Sequence, residues 1–280
     1  YAPASLRTAS WRSGYAEECK SLHPVSFPVE ASKFSGVFWS QTRRAVRDAA
    51  APCENRSEPR IRAAMDFARA RAMMVESQVR PSDVTDVRVI EAMKALPRER
   101  FVPAHMRQLA YADLDLEVSP GRFLLRPREA AKLIQALAPQ SNERALEIAC
   151  ATAYGAAVLA ACVREVYALD VDPELSFAAR AALESSGVTS VKTVSTGLEA
   201  GWAEAAPYDV ILVNGAVEVV PDAWIAQLAE NGRLGVIVRQ GAVGSARIYT
   251  RSQETVSYRV AFDSAPPVVP GLERPRVFSF

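Results

Sequence analysis

Histidine occurs only twice in the 280 residues, at His23 and His105, and both stand far in sequence from Cys150 and Cys162. The four cysteines, Cys19, Cys53, Cys150 and Cys162, contain no Cys-x-x-C pair. Neither a zinc site nor a disulfide framework is therefore expected, and a reducing compartment, the cytoplasm, fits best. Long apolar runs are scarce as well. The stretch from Gly155 to Val163 falls well short of the roughly 18 residues that span a bilayer, which predicts a soluble chain with no membrane partner. Net charge is also missing: Lys+Arg 33 against Asp+Glu 32 leaves +1, so no overall field steers the chain to nucleic acid.

What is present is enough apolar material, 49% of residues, to bury a full core. Residues 1–64 scatter Ser, Pro, Ala and Arg without a sustained period and are expected to form a poorly ordered upstream extension. A coherent pattern opens at Met65. Phe67, Met73, Met74 and Val79 fit a short amphipathic helix ended by Pro81. Val84 to Leu96 fits a second, with Val87, Ile90, Ala92 and Met93 as buried positions, stopped by Pro97. Residues 111–117 read as irregular and acidic, and Ser119 to Pro127 follow. Arg128 to Leu137 then reads as a helix that turns Ala131, Ile134, Leu137 and Ala138 toward a sheet. Residues 65–143 thus form a helical cap and substrate-side segment ahead of a nucleotide-binding domain over 144–280.

In that domain strands and helices take turns. Strands are predicted at 145–148, 165–170, 190–194, 208–214 and 231–238, with helices after the first, at Asp172-Pro-Glu174 and over Val220 to Glu230. Residues 245–251 and 256–262 alternate as a terminal antiparallel pair. Such alternation predicts an α/β fold, Rossmann-like and doubly wound, with a mostly parallel sheet covered on both faces. The C-terminal Pro266–Gly271 and Arg274–Phe280 are expected to cover the sheet edge.

The chemistry centres on Arg144-Ala-Leu-Glu-Ile-Ala-Cys-Ala-Thr-Ala-Tyr-Gly155, an apolar strand running into a turn of small residues and then a helix. An acid, Glu147, followed by small residues at 149, 151 and 153 is the spacing of an S-adenosylmethionine loop; the dinucleotide fingerprint has a wider last gap. Alanines occupy Ala149, Ala151 and Ala153, where such loops place glycines. If the backbone is left-handed there, each methyl adds roughly 1 to 2 kcal/mol of strain, and glycine at all three is expected to tighten the ligand. Cys150 and Thr152 complete the loop. Asp170 ends the second strand about twenty residues on, where a carboxylate accepts both ribose hydroxyls. Asn214, ending the fourth strand, is expected to point into the cleft, and Arg126 or Arg128 to hold a substrate carboxylate bidentately. Cys150 and Cys162 are expected to be small buried hydrophobes.

From Met65 onward the chain resembles the protein-L-isoaspartate O-methyltransferase family, in a divergent bacterial branch. The likeness rests on Met74-Val-Glu-Ser-Gln-Val-Arg80, Pro97-Arg-Glu-Arg-Phe-Val-Pro103, Ala110-Tyr-Ala-Asp113, the loop above, Gly201-Trp202, residues 206–213 and Gln227-Leu-Ala-Glu-Asn-Gly-Arg-Leu234. The resemblance implies a seven-stranded fold that binds S-adenosyl-L-methionine and methylates the free carboxylate of isoaspartyl or D-aspartyl residues in aged proteins. Carried over, the family's Thr-Ile-Ser-x-Pro motif falls on residues 123–127, placing Leu125 where the family has serine. Its Gly-Asp-Gly falls on Thr196, Gly197 and Leu198, so Gly197 and Leu198 would lie near the adenosine. These departures favour, as the alternative, a binding protein of methyltransferase fold that has lost turnover. A nicotinamide-dependent oxidoreductase fits less well, given the loop spacing and the lack of a proton-donating His or Tyr-x-x-x-Lys.

Overall fold

The computed structural model describes Met65 to Pro275 apart from Glu254. The expectation for residues 1–64 lies outside the described residues, as does that for the tail beyond Pro275.

Seven strands form one sheet: β3 (Arg144–Ile148), β4 (Glu165–Asp170), β5 (Val191–Ser195), β6 (Tyr208–Val217), β7 (Leu228–Gln240), β8 (Val243–Ser252) and β9 (Thr255–Asp263), in the order β5-β4-β3-β6-β7-β8-β9. The first five in that order run parallel, and β8 and β9 close the sheet as the expected antiparallel pair. The period-2 pattern of the central strands explains why both faces are covered. Ala145, Val166, Ala168, Val210 and Leu212 enter one buried cluster, while Leu146, Ile148, Leu169, Ile211 and Val213 enter the other.

Ahead of the sheet come α1 (Phe67–Met74), α2 (Val87–Ala95) and α3 (Pro127–Ala136). Asp66 and Asp86 cap the first two, each accepting a backbone N–H of its own first turn. The first helix does not stop at residue 74: a π turn over Val75–Val79 and a 3-10 turn over Arg80–Ser82 carry it past Pro81, which sits in the last turn. Three side chains depart from the predicted pattern. Met73 and Val87 face solvent, and Ala138 lies beyond the end of α3 with φ 47, its place in the buried stripe taken by Leu133.

Within the sheet domain follow α4 (Tyr154–Leu159), α5 (Pro173–Ser185) and α6 (Asp222–Ala226). Asp172 caps α5 as expected, accepting from the Glu174 N–H at 2.8 Å. The helix expected over Val220 to Glu230 is reduced to α6. Tyr208 draws the chain into the sheet from Gln227 onward, its N–H donating to the Gln227 carbonyl at 2.8 Å.

Two further departures shape the site. Residues 116–124, where no strand was expected, form a small antiparallel hairpin, β1 (Leu116–Ser119) and β2 (Arg122–Leu124). The segment after β9 does not lie over an outer edge: Ala216 and Val268 form a parallel bridge, and the Val269 N–H donates to the Ala216 carbonyl at 2.9 Å, so it covers the carboxyl end of central strand β6.

Candidate active site

The turn from β3 into α4 keeps the path that glycines would take. Ala149, Ala151 and Ala153 have φ of 56, 51 and 65 degrees, all left-handed, and all three are buried. Nearby bonds fix the path. The Cys150 N–H donates to the Leu169 carbonyl at 3.0 Å, the Ala151 N–H to Asp170 Oδ2 at 2.9 Å and the Ala153 N–H to the Cys150 carbonyl at 2.7 Å. The expected strain is therefore real, but it sits in the protein before any ligand arrives. It lowers folding stability. It does not by itself weaken binding, and only the bulk of the methyl groups bears on affinity.

Glu147 lies below the turn, fully buried, with Oε2 accepting the Ala156 N–H at 2.8 Å and Oε1 without a partner. Burial pushes its carboxyl up to about 8, against the opposing pull of that N–H. Gly155 is fixed by this acid: a Cβ there would stand 2.0 Å from Glu147 Oε1. Burial likewise pushes the Cys150 thiol well above its ordinary range, so Cys150 packs as a small hydrophobe.

At the end of β4 the Asp170 carboxylate is buried and engaged on both oxygens. Oδ2 holds the Ala151 N–H, while Oδ1 accepts the Val171 N–H at 2.8 Å and Arg122 Nε at 3.0 Å. Arg122, on β2, was not singled out in the sequence. Its partner is 48 residues away, and no local pattern marks an arginine in a hairpin as the mate of a strand-end acid.

Asn214 stands where β6 and β7 slip register: four residues of β6, Leu212 to Ala216, advance against two of β7, Gly235 to Ile237. Such a bulge re-aims a side chain. The Asn214 Nδ2 donates to the Phe123 carbonyl at 2.7 Å and to the Ala149 carbonyl at 3.1 Å, tying the hairpin to the turn. Thr152 Oγ1 adds a second tie to the Phe101 carbonyl.

Leu125 is buried in the core, and its carbonyl accepts Arg98 Nη2 at 2.8 Å. Arg98 is itself buried. It donates from Nε to the Ala110 carbonyl at 2.8 Å and lies 4.5 Å over the Tyr154 ring, and burial lowers its pKa. Arg126 is bound to Asp115 through Nη2 at 2.8 Å, and Arg128 pairs with Asp113 at 3.2 Å. Each guanidinium thus already faces a carboxylate of this chain, and Arg126 keeps its Nε without a hydrogen-bond partner. Leu198 is buried, with its carbonyl accepting Trp224 Nε1 at 2.8 Å, while Gly197 beside it is exposed. Glu147, residues 149–153, Asp170 and Asn214 are thus brought together at the carboxyl end of the parallel strands, where ligands enter open α/β sheets.

The left-handed turn and the strand-end acid fit a nucleoside that offers two ribose hydroxyls. Arg122 alone stands against it, because it holds one of the oxygens that those hydroxyls would need.

The family profile described as Protein-L-isoaspartate(D-aspartate) O-methyltransferase (PCMT) matches residues 69–263. Protein-L-isoaspartate O-methyltransferase of Methylorubrum extorquens (strain PA1) is 41% identical over 183 residues, 65% of this chain and 78% of that protein. Protein-L-isoaspartate O-methyltransferase 2 of Marinobacter nauticus is 39% identical over 173 residues, 62% and 79% of the two chains. Among solved structures, a Plasmodium falciparum protein assigned as a protein-L-isoaspartate O-methyltransferase, in complex with S-adenosyl-L-homocysteine, shares the fold with a TM-score of 0.60. It is 17% identical, over 71% of this chain and 97% of that one. With the fold, the turn and the matched span in agreement, the chain belongs to the protein-L-isoaspartate (D-aspartate) O-methyltransferase family.

Proposed function

We propose that this protein is an S-adenosyl-L-methionine-dependent O-methyltransferase that esterifies the free carboxylate of isoaspartyl residues in damaged proteins, a repair activity of the cytoplasm. The observation that carries this reading is the turn itself. Three alternate alanines follow a left-handed path that costs roughly 1 to 2 kcal/mol each, held by the surrounding hydrogen bonds, and backbone strain maintained at such a cost is what a ligand-shaping turn carries.

The bound cofactor supplies an electrophilic methyl on a sulfonium and a neutral thioether leaving group. A carboxylate nucleophile arrives already ionised, so no side chain has to remove a proton, and alignment with exclusion of water carries the rate. The residues of this chain serve those two needs. In this reading Asp170 accepts the ribose hydroxyls, the backbone of residues 149–153 lies along the methionine moiety, and Leu198 borders the adenine near Gly197. Asn214 keeps the turn and the hairpin in register, and Leu125 contributes an apolar wall in place of a hydroxyl. Arg126 has to exchange Asp115 for the substrate if it is to clamp the carboxylate.

That last pairing, together with Leu125, favours one competing reading, a binding protein of this family without turnover. An isoaspartyl peptide incubated with the protein and labelled cofactor separates the two. Base-labile methyl ester is the expected result; binding of S-adenosyl-L-homocysteine with no ester formed would overturn the catalytic reading and leave the binding one.

A further inference from the structure

Resting on the methyltransferase reading, we propose that Arg122 gates the cofactor seat: its guanidinium holds Asp170 in the free protein and must leave before ribose hydroxyls can take the carboxylate, so Arg122 sets cofactor affinity.

Counting acceptor sites gives the first argument. A carboxylate has about four lone-pair positions. Those of Asp170 already serve the Ala151 N–H, the Val171 N–H and Arg122 Nε, which leaves too little for two vicinal hydroxyls. The two backbone donors belong to the turn and to the strand end and cannot leave without unfolding them. Arg122 can.

The surroundings show which part moves. The hairpin backbone is held on both sides of Arg122, at Phe123 by Asn214 and at Gly121 by Glu117, whose Oε1 accepts the Gly121 N–H at 2.9 Å. Apart from Asp170, the guanidinium's hydrogen-bond partner is its own neighbour, the Gly121 carbonyl, 3.2 Å from Nη1. Its side chain is 10% exposed, at the rim of the seat. Rotation of a long side chain toward water, with the hairpin left in place, therefore opens the seat. Displacing it breaks a charge-assisted hydrogen bond to a buried carboxylate, and that loss is subtracted from whatever the nucleoside gains.

Calorimetric titration with S-adenosyl-L-homocysteine tests the gate, on the parent and on Arg122→Gln, which keeps much of the side-chain volume but carries no charge. The variant should bind about thirty-fold tighter, which is about 2 kcal/mol at 1.4 kcal/mol per tenfold. Without ligand it should melt at a lower temperature than the parent, and with ligand it should gain more. A residue of purely structural importance would move the first and weaken binding. Arg122→Lys keeps the charge without the planar fork and should fall between the two; if Arg122→Gln does not fold, Arg122→Lys decides alone by the same sign. Equal or weaker binding by the variants, with the parent still binding, overturns the gate and leaves the methyltransferase reading intact. No binding by any of the folded proteins overturns both.

Discussion

Replacing Ala149, Ala151 and Ala153 together with glycine should leave stability almost unchanged, although three buried methyl groups are removed. At each site the left-handed backbone is relieved of about 1 to 2 kcal/mol. The looser unfolded chain takes back about 0.4 to 1 kcal/mol. Loss of a buried methyl takes back about 0.8 kcal/mol. The three contributions nearly cancel, and the triple variant should lie within about 2.5 kcal/mol of the parent. The control is a second triple variant, Ala131→Gly, Ala157→Gly and Ala179→Gly, at equally buried positions inside α3, α4 and α5. There glycine relieves nothing, and helix propensity and methyl loss add to about 4 to 5 kcal/mol. Urea unfolding of both variants, with stabilities extrapolated to water, makes the comparison. If the loop variant falls as far as the helix variant, the alanines are not strained and the reasoning fails. Titrating the loop variant with S-adenosyl-L-homocysteine then reads the remaining effect, since any gain in affinity comes from removal of methyl bulk alone.

Glu147 predicts a pH dependence. Its folded pKa, about 8, is raised above the ordinary 4.5, so between these values the folded protein keeps a proton that the unfolded chain releases. The stability this contributes is complete below the unfolded value and is lost as pH rises, by about 1.4 kcal/mol per unit. Urea unfolding at about pH 5.5 and 7.5 should show that slope in the parent and its absence in Glu147→Gln; parallel profiles would contradict the assignment. Gly155→Ala should cost more than about 2 kcal/mol, because its Cβ meets Glu147 Oε1, and much of that penalty should vanish in a double variant with Glu147→Ala. Arg98→Lys cannot span the Ala110 and Leu125 carbonyls with one fork and should lose about 2 to 4 kcal/mol, whereas Arg128→Lys at its exposed pair should lose under about 1 kcal/mol; equal losses in chemical denaturation would refute the contrast.

The fold was legible wherever a local period sufficed. Ala145 to Ile148, Val166 to Asp170 and Val210 to Val213 alternate between two buried clusters, and a strand buried on both faces reads as the unbroken apolar run seen in the sequence. Asp172 ahead of Pro173 named its helix start for an equally local reason. Misreadings came where distant partners decide. Leu228 to Glu230 look helical until Tyr208 pairs with them, and although Pro120-Gly121 marks a turn, three- and four-residue strands on either side of it are too short to show a period. In the site, the spacing marked residues 149, 151 and 153 as the place where a left-handed path would matter, and the observed φ values supply the path itself. The Arg122–Asp170 pair and the clasp of Arg126 by Asp115 did not, because a charge carries no mark in sequence of which opposite charge the fold will bring to it.

Glycine in such a loop answers two separate demands, and this chain meets them differently. One is a demand on φ, which an alanine can meet at a cost of a kcal/mol or two, provided the rest of the turn holds it. The Cys150, Ala151 and Ala153 amide bonds do so here, and three positions have gone to alanine without a change of path. The other is a demand on space. At Gly155 the φ is ordinary for any residue, yet a side chain is forbidden because a buried carboxyl lies 2.0 Å from where Cβ would be. Overlap of that kind is relieved only if the Glu147 carboxyl moves, and that carboxyl is fully buried and bonded through Oε2 to the Ala156 N–H. The fourth glycine of the loop is therefore the one that this fold retains, and substitution should be tolerated at 149, 151 and 153 in the order in which methyl bulk, not backbone angle, meets the ligand.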